Sequence, residues 1–512
     1  MAQETTFDAS RAWSTLAVVI MGTLLSALSA TTVSVALPTI MNVFGATLDS
    51  VQWITTAYSL TMAIVIPLTP YLSKVFCDER VYTVALVAFA GCSFLCAFSW
   101  SLNAMLVFRI MQAIGGGIMS PIGMGMVLSL FPPEKRGLAF GVFGIAAMAA
   151  PAFGPTLGGY IVQYYGWRYI FYVNIPFGVV GFILALRFFK FRKRIPFPYF
   201  DISGFISAAL ASSLILYLLG KNQQIDWADP IYTYMAITGI GAFIFFIFNE
   251  LYNKEPLLDL RILKDRNFSI SLMLTAVQAV MMMSAAYTLP VFLQNFKGLT
   301  AMQSGQVLLP SSIVMALLMP IAGRISDIAG DRGTKWVIAV GITICGAATF
   351  SFSSLMNINA SIVTIIVVSS IRNIGMGMSM MPARTLGLVN IPQEDSQKAT
   401  SMSTFIMQFS SSLSVAAVTL LITSRFNANY ANAAAQITSF NIPFSEAVKN
   451  ITASLASRGL SIEEATSQAM SAILRNIYID NYVLAIQYAI FVTAIVGMSA
   501  LFFVPMFKAR QK

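Results

Sequence analysis

Residues Gly154 to Gly178 read G-P-T-L-G-G-Y-I-V-Q-Y-Y-G-W-R-Y-I-F-Y-V-N-I-P-F-G. On a helix Gly154, Gly158 and Gly159 fall at i, i+4 and i+5. They expose bare backbone on one face, so a neighbouring helix can approach closely. Pro155 removes a backbone hydrogen bond and kinks the same helix. The stretch joins two apolar runs, 137–162 and 168–190, each of the roughly 20 residues that a helix needs to cross a bilayer. Four such runs precede it, at 14–38, 51–71, 80–99 and 104–131. Eight follow, at 202–220, 231–251, 268–292, 305–325, 335–355, 361–389, 399–424 and 481–507.

The composition agrees with that pattern. Of 512 residues 57% are hydrophobic and 10% charged, against about 25% charged in a soluble domain. The runs do not alternate as barrel strands do. The expected fold is therefore an all-α integral membrane protein of about fourteen transmembrane helices. Residues 1–10 are polar, and the run after Arg11 is too long for a signal sequence, so no cleavable signal is expected.

Basic residues sort by side. Alternate loops hold Lys74, Arg80, Lys135, Arg136, the cluster Arg187 to Arg194, Arg324, Arg332, Arg384 and Lys398. The opposite loops hold only Arg168, Lys221, Lys297, Arg425, Lys449, Arg458 and Arg475. Basic loops stay in the cytoplasm, which predicts that both termini are cytoplasmic. The net charge of +10 is then a topology signal, and no nucleic-acid partner is expected.

The sequence also repeats. P-L-T-P-Y-L-S-K (Pro67 to Lys74) returns as P-I-A-G-R-I-S-D (Pro320 to Asp327). Arg109, Gly115 to Gly117 and Pro121 are echoed by Arg372, Gly375, Gly377 and Pro382. Two similar halves around a midplane site are a common transporter plan. The predicted organisation is a six-helix half over 1–195, two inserted helices over 196–262, and a second six-helix half over 263–512. The second half carries a long extracytoplasmic loop at about 425–480, within which 461–474 reads as an amphipathic helix.

Several chemistries are excluded. With no histidine, His-based metal sites, hydrolytic triads and His proton relays are absent. The four cysteines (Cys77, Cys92, Cys96 and Cys345) imply no disulfide framework. The glycines at 115–117 lack the following lysine of a nucleotide-binding loop. No enzyme activity, cofactor or metal is expected. Arg109 lies inside a span, where a charge is costly and faces a cavity by default.

Gly154 to Gly178 resembles the antiporter motif of the major facilitator superfamily. It continues into the W-R-x-I-F-x-x-N-x-P-x-G run of that family's 14-span drug:proton antiporter branch, the EmrB/QacA type. V-A-L-P-T-I (Val35 to Ile40), W-I-T-T-A-Y (Trp53 to Tyr58), R-I-M-Q (Arg109 to Gln112) and F-P-P-E-K-R-G-L-A-F-G (Phe131 to Gly141) agree in order. The resemblance implies a proton-driven multidrug exporter seated in the lipid bilayer of a bacterial inner membrane, moving small amphipathic substrates by alternating access. It implies a periplasmic adaptor and an outer-membrane channel as partners. It places Arg109, Gln112, Ser29, Thr32, Tyr58 and Arg372 in the substrate and coupling region. Gly154, Pro155, Gly158 and Gly159 become a conformational hinge, and Gly323 and Asp327 a gating loop.

The departures from the family pattern define an alternative. Ser29 stands where the family carries an acid. Pro70, Lys74 and Cys77 replace the glycines and acid of the first gating loop, whereas the second copy keeps Gly323, Asp327 and Gly330. No Asp or Glu lies well inside a span; Asp201, Glu250 and Asp327 are in loops or near helix ends. Two intramembrane arginines without an acid would make a positive cavity, softened by Met281 to Met283 and by Met376, Met378, Met380 and Met381. That pattern suits export of an anionic or lipid-like metabolite with non-standard or no proton coupling.

Overall fold

A computed structural model describes residues 8–191, 199–221, 225–226, 228–434, 442–457 and 460–508. Of the basic residues read above, Arg192, Lys193, Arg194 and Arg458 lie outside them. Among the described residues seventeen helical elements follow one another: α1 (Ala9–Phe44), α2 (Leu48–Val65), α3 (Thr69–Phe76), α4 (Asp78–Ala97), α5 (Leu102–Leu130), α6 (Arg136–Gly144), α7 (Ala150–Tyr164), α8 (Tyr169–Tyr172), α9 (Asn174–Phe188), α10 (Ile202–Lys221), α11 (Pro230–Tyr252), α12 (Arg266–Asn295), α13 (Ala301–Leu355), α14 (Ile362–Gly387), α15 (Ser396–Ala434), α16 (Ile442–Ala456) and α17 (Ile462–Ser499). Side chains set the helix starts. Ser101 accepts from the Ala104 N–H, and Asp265 from that of Phe268. Reciprocal capping boxes open α13 and α17, each satisfying two otherwise orphaned N–H groups.

Among the described residues, twelve helices are long and apolar enough to cross a membrane, and large apolar side chains such as Ile183, Phe245, Phe248 and Val363 are exposed. The protein is a multi-pass membrane protein. The expected count of about fourteen differs from twelve at two places. Spans 305–325 and 335–355 both fall within α13, whose two helical parts are separated by the non-helical backbone of Gly330 (φ 62°, ψ −173°). The span carrying Gly154 is divided by a π-helical turn, Ile145–Ala149, into α6 and α7.

Helices α1 to α5 and α7 to α9 pack mainly on one another, as do α12 to α17, while α6 packs chiefly on α13 across the halves. Between them α10 touches both α2 and α15, while α11 packs on α10; Trp53 stacks on Tyr217 at 5.6 Å. The segment after 425 is largely helical: α15 continues to residue 434, α16 packs on α17, and α17 starts at Ile462.

The cores of the two halves merge at one end only. One apolar cluster spans both, from Leu16, Phe131 and Phe140 to Met319, Met381 and Phe405. It lies toward the end that carries the basic loops, here termed the basic end. At the far end the halves have separate cores, one around Ile40, Ile54 and Phe171, the other around Phe292, Phe352 and Ile486.

Candidate functional site

Arg109, on α5, is fully buried. Its Nη1 donates to Ser29 Oγ (3.0 Å) and Gln112 Oε1 (2.6 Å), its Nη2 to the Ser29 carbonyl (3.4 Å), and its Nε to the Ile54 carbonyl (3.5 Å). The guanidinium lies 4.1 Å from the centre of the Tyr58 ring, a cation–π contact. Gln112 passes the network to Ser93 (2.5 Å), which also accepts from Asn174 (3.4 Å). Five helices, α1, α2, α4, α5 and α9, thus meet on one charge held by neutral acceptors. Four of the expected residues come together here: Arg109, Gln112, Ser29 and Tyr58. Every one of them is enclosed within the first half, so the arginine lines no open cavity. Ser93 and Asn174 were not singled out in the sequence, although Asn174 is the asparagine of the W-R…N-I-P run.

Thr32 lies on another side of α1. Its hydroxyl donates to the Leu28 carbonyl (2.9 Å), and its backbone meets α7: a Cβ on Gly158 would lie 3.0 Å from the Thr32 carbonyl oxygen. Gly154 faces Thr31, while Gly159 faces Met302 of α13 and Gly305 of α13 faces Thr156. The glycine pattern therefore forms a seam in which α7 lies against α1 on one side and against the second half on the other. Pro155 sits inside α7, one turn beyond the π-helical interruption.

Arg372, on α14, is less well held. Its Nη1 donates to the Met281 carbonyl (3.3 Å) and its Nη2 to Asn373 Oδ1 (3.0 Å), while its Nε has no partner. It borders a cavity of about 10 Å³ lined by Ser284, Thr288, Thr349 and Thr493, about the size of one water.

The basic end carries hydrogen-bonded contacts between halves. Asp327 accepts from the backbone N–H of Gly137 (2.8 Å) and of Leu138 (2.9 Å). Those groups open α6, where the helix dipole favours a negative charge. Backbones cross so closely that a methyl on Gly323 would overlap the Gly137 carbonyl oxygen. Thr69 and Ser401 share a hydrogen bond of 2.6 Å, and the side chains of Gln393 and Gln397 donate to the Ser129 (3.2 Å) and Ile122 (3.5 Å) carbonyls.

Two acids that the sequence places near helix ends are nevertheless buried. Asp201 accepts from Ser203, Gly204 and Asn249, at 2.8, 2.8 and 2.7 Å. Glu250 Oε2 accepts from the Leu258 N–H (3.0 Å) while its Oε1 has no partner. The turn through Leu257 and Leu258, both buried, covers them. Arg384 corrects the reading more sharply. Counted with the basic loops, it instead lies in α14 at 3% exposure, between Met124 of the first half and Met407 of the second.

Residues 19–415 match the family described as the Major Facilitator Superfamily. An uncharacterized MFS-type transporter, YhcA of Bacillus subtilis, is 32% identical over 94% of this chain and 90% of its own length. The multidrug export protein EmrB of Escherichia coli is 28% identical over 82% of each chain. The fold resembles that of the human organic anion transporter MFSD10, with a TM-score of 0.61, 12% identity, and 96% and 99% of the two chains covered.

Proposed function

The chain belongs to the Major Facilitator Superfamily, and we propose that it is a secondary active exporter of amphipathic compounds, driven by protons and working by alternating access. The observation that carries this reading is the asymmetry of the contact between halves. They share one core and a set of hydrogen bonds at the basic end; at the other end their cores are separate and they touch along the seam of α7 and α13. Such an arrangement is one of the two states that a rocking bundle alternates between. The name of the relative EmrB, a multidrug export protein, supports drugs as cargo.

In this reading residues 1–195 and 263–512 are the moving halves, 196–262 tethers them, and the basic end faces the cytoplasm of a bacterial inner membrane. The glycine seam of Gly154, Gly158 and Gly159 is the surface on which the halves rock, and Asp327 holds the cytoplasmic gate. The helical segments within about 425–480 face the periplasm, where an adaptor leading to an outer-membrane channel would dock.

A proton-driven exporter needs a carboxylate that takes up and releases its proton during the cycle. The candidates are the buried Asp201 and Glu250 and the half-buried Asp327, all at the basic end. The second reading, export of an anionic or lipid-like metabolite with different coupling, is favoured by the three buried arginines, none of which is in a salt bridge among the described residues. The test is efflux of a panel of amphiphiles from liposomes containing the protein, with and without an imposed pH gradient. Gradient-driven movement of at least one amphiphile is expected; movement of none would overturn the exporter reading.

A further inference from the structure

Arg384 is the least satisfied charge among the described residues. Its Nη1 faces Met124 Sδ at 3.9 Å and its Nη2 faces Met407 Sδ at 2.7 Å, while its Nε has no partner. A thioether sulfur is a weak acceptor, and a buried guanidinium stays charged. Buried charges are ordinarily paired or hydrogen-bonded. This chain does so elsewhere, since Arg109 has four oxygen acceptors.

The internal repeat does not account for the residue either. Arg384 stands two positions after Pro382; two positions after the matching Pro121 the first half carries Gly123. The C-terminal dipole of α14 favours a cation in its last turn. That explains a tolerated position, and leaves the missing acceptors unexplained.

Its place in the fold suggests what fills them. Arg384 is on α14 of the second half, and Met124 is on α5 of the first, so the guanidinium lies on the surface that parts when the halves rock. The apolar cluster around it contains Met319, Met380, Met381, Met402 and Phe405, side chains that adapt to varied apolar shapes. We propose that Arg384 is the anion-binding residue of the transport path, and that the cargo is an amphiphile with a carboxylate head and an apolar body. Opening of the basic end removes Met124 from the guanidinium, and the carboxylate takes its place in a two-pronged, charge-assisted contact. The methionines receive the tail. This inference rests on the exporter reading and narrows its cargo.

The experiment uses the full chain in neutral-lipid nanodiscs, with decanoate and decyltrimethylammonium as matched probes, and follows binding together with thermal unfolding. The key variant is Arg384→Met, which matches its surroundings and should fold, because replacing a buried charge by a well-packed apolar group is often neutral or stabilising. The wild type is expected to bind decanoate at least tenfold more tightly than decyltrimethylammonium. In Arg384→Met decanoate affinity should fall at least tenfold with no loss of melting temperature, and Arg384→Lys should restore part of it. Equal decanoate binding by wild type and Arg384→Met overturns the inference, as does a wild type that prefers the cation; both leave the exporter reading intact. A wild type that binds neither probe, and that also fails the efflux test above, overturns the two together.

Discussion

The same loop occurs twice in this molecule, 253 residues apart, and the two copies do different jobs. In the second copy Gly323 lets α13 cross α6 backbone to backbone, Asp327 accepts two N–H groups at the start of α6, and Gly330 turns the chain with φ 62°. The corresponding residues of the first copy are Pro70, Lys74 and Cys77. Proline cannot offer the bare face of glycine. Lysine cannot accept from a helix N-terminus, and it pairs instead with Glu255 after α11, at 3.3 Å in an exposed salt bridge. Cys77 still makes the turn, with φ 65° and ψ 153°, in a region that is essentially reserved for glycine. The backbone path has been kept in both copies, and the latch in only one. On the first-copy side the halves meet through Thr69 and Ser401 and through glutamines, beside a cavity of about 550 Å³ that includes Lys74, Gln397 and Lys398.

The comparison can be broken most severely at the close crossing. Gly323→Leu should hold α13 away from α6, cost about 1–3 kcal/mol of stability through overpacking, and abolish efflux. A variant that transports normally would mean that the crossing is not part of the cycle. Next is Asp327→Asn, which removes the charge from two hydrogen bonds. Bonds to charged groups contribute about 1.5–3 kcal/mol, so the closed basic end should lose population by about tenfold or more, read as faster labelling of a cysteine introduced at position 401. The comparison is sharpened by Lys74→Asp, which gives the first copy the missing carboxylate. The salt bridge that it sacrifices contributes about 0–1 kcal/mol, and a second latch on the N-terminus of α15 should slow opening several-fold. The smallest effect is expected from Cys77→Gly, which relieves a strained backbone. It should raise stability by about 1 kcal/mol and leave efflux unchanged, as thermal unfolding and transport together would show.

Much of this was legible in the sequence. The match of Pro67 to Pro320 fixes the register that pairs Cys77 with Gly330, and the two residues take nearly the same φ. The spacing of Gly154, Gly158 and Gly159 marks a helix face open to close approach, and that face meets Thr31 and Thr32 of α1 and Met302 of α13. What the sequence hid are properties of depth. Arg384 lies three residues from the end of α14, where a loop arginine and a buried one look alike. Whether it reaches solvent depends on α5 and α15 closing over it, and no local pattern records that. Asp201 and Glu250 were placed correctly near helix ends, yet the turn after α11 folds back and covers both. Arg109 was marked as costly, and its cost is met by Ser29, Gln112 and two backbone carbonyls contributed from three helices, a set that only the packed bundle brings together. Helix α13 reads as two spans because its middle is polar, and the backbone does leave helical geometry there, at Gly330.

The most direct test of the gate follows the basic end itself. Spin labels at Glu134 and Ile328, on the two sides of the Asp327 latch, would report the distance between halves in wild type and in Asp327→Asn. A single short distance in the wild type, with a second, longer one appearing in the variant, is the predicted result. The same distribution in both proteins would contradict the assignment of Asp327 as the residue that holds this end closed.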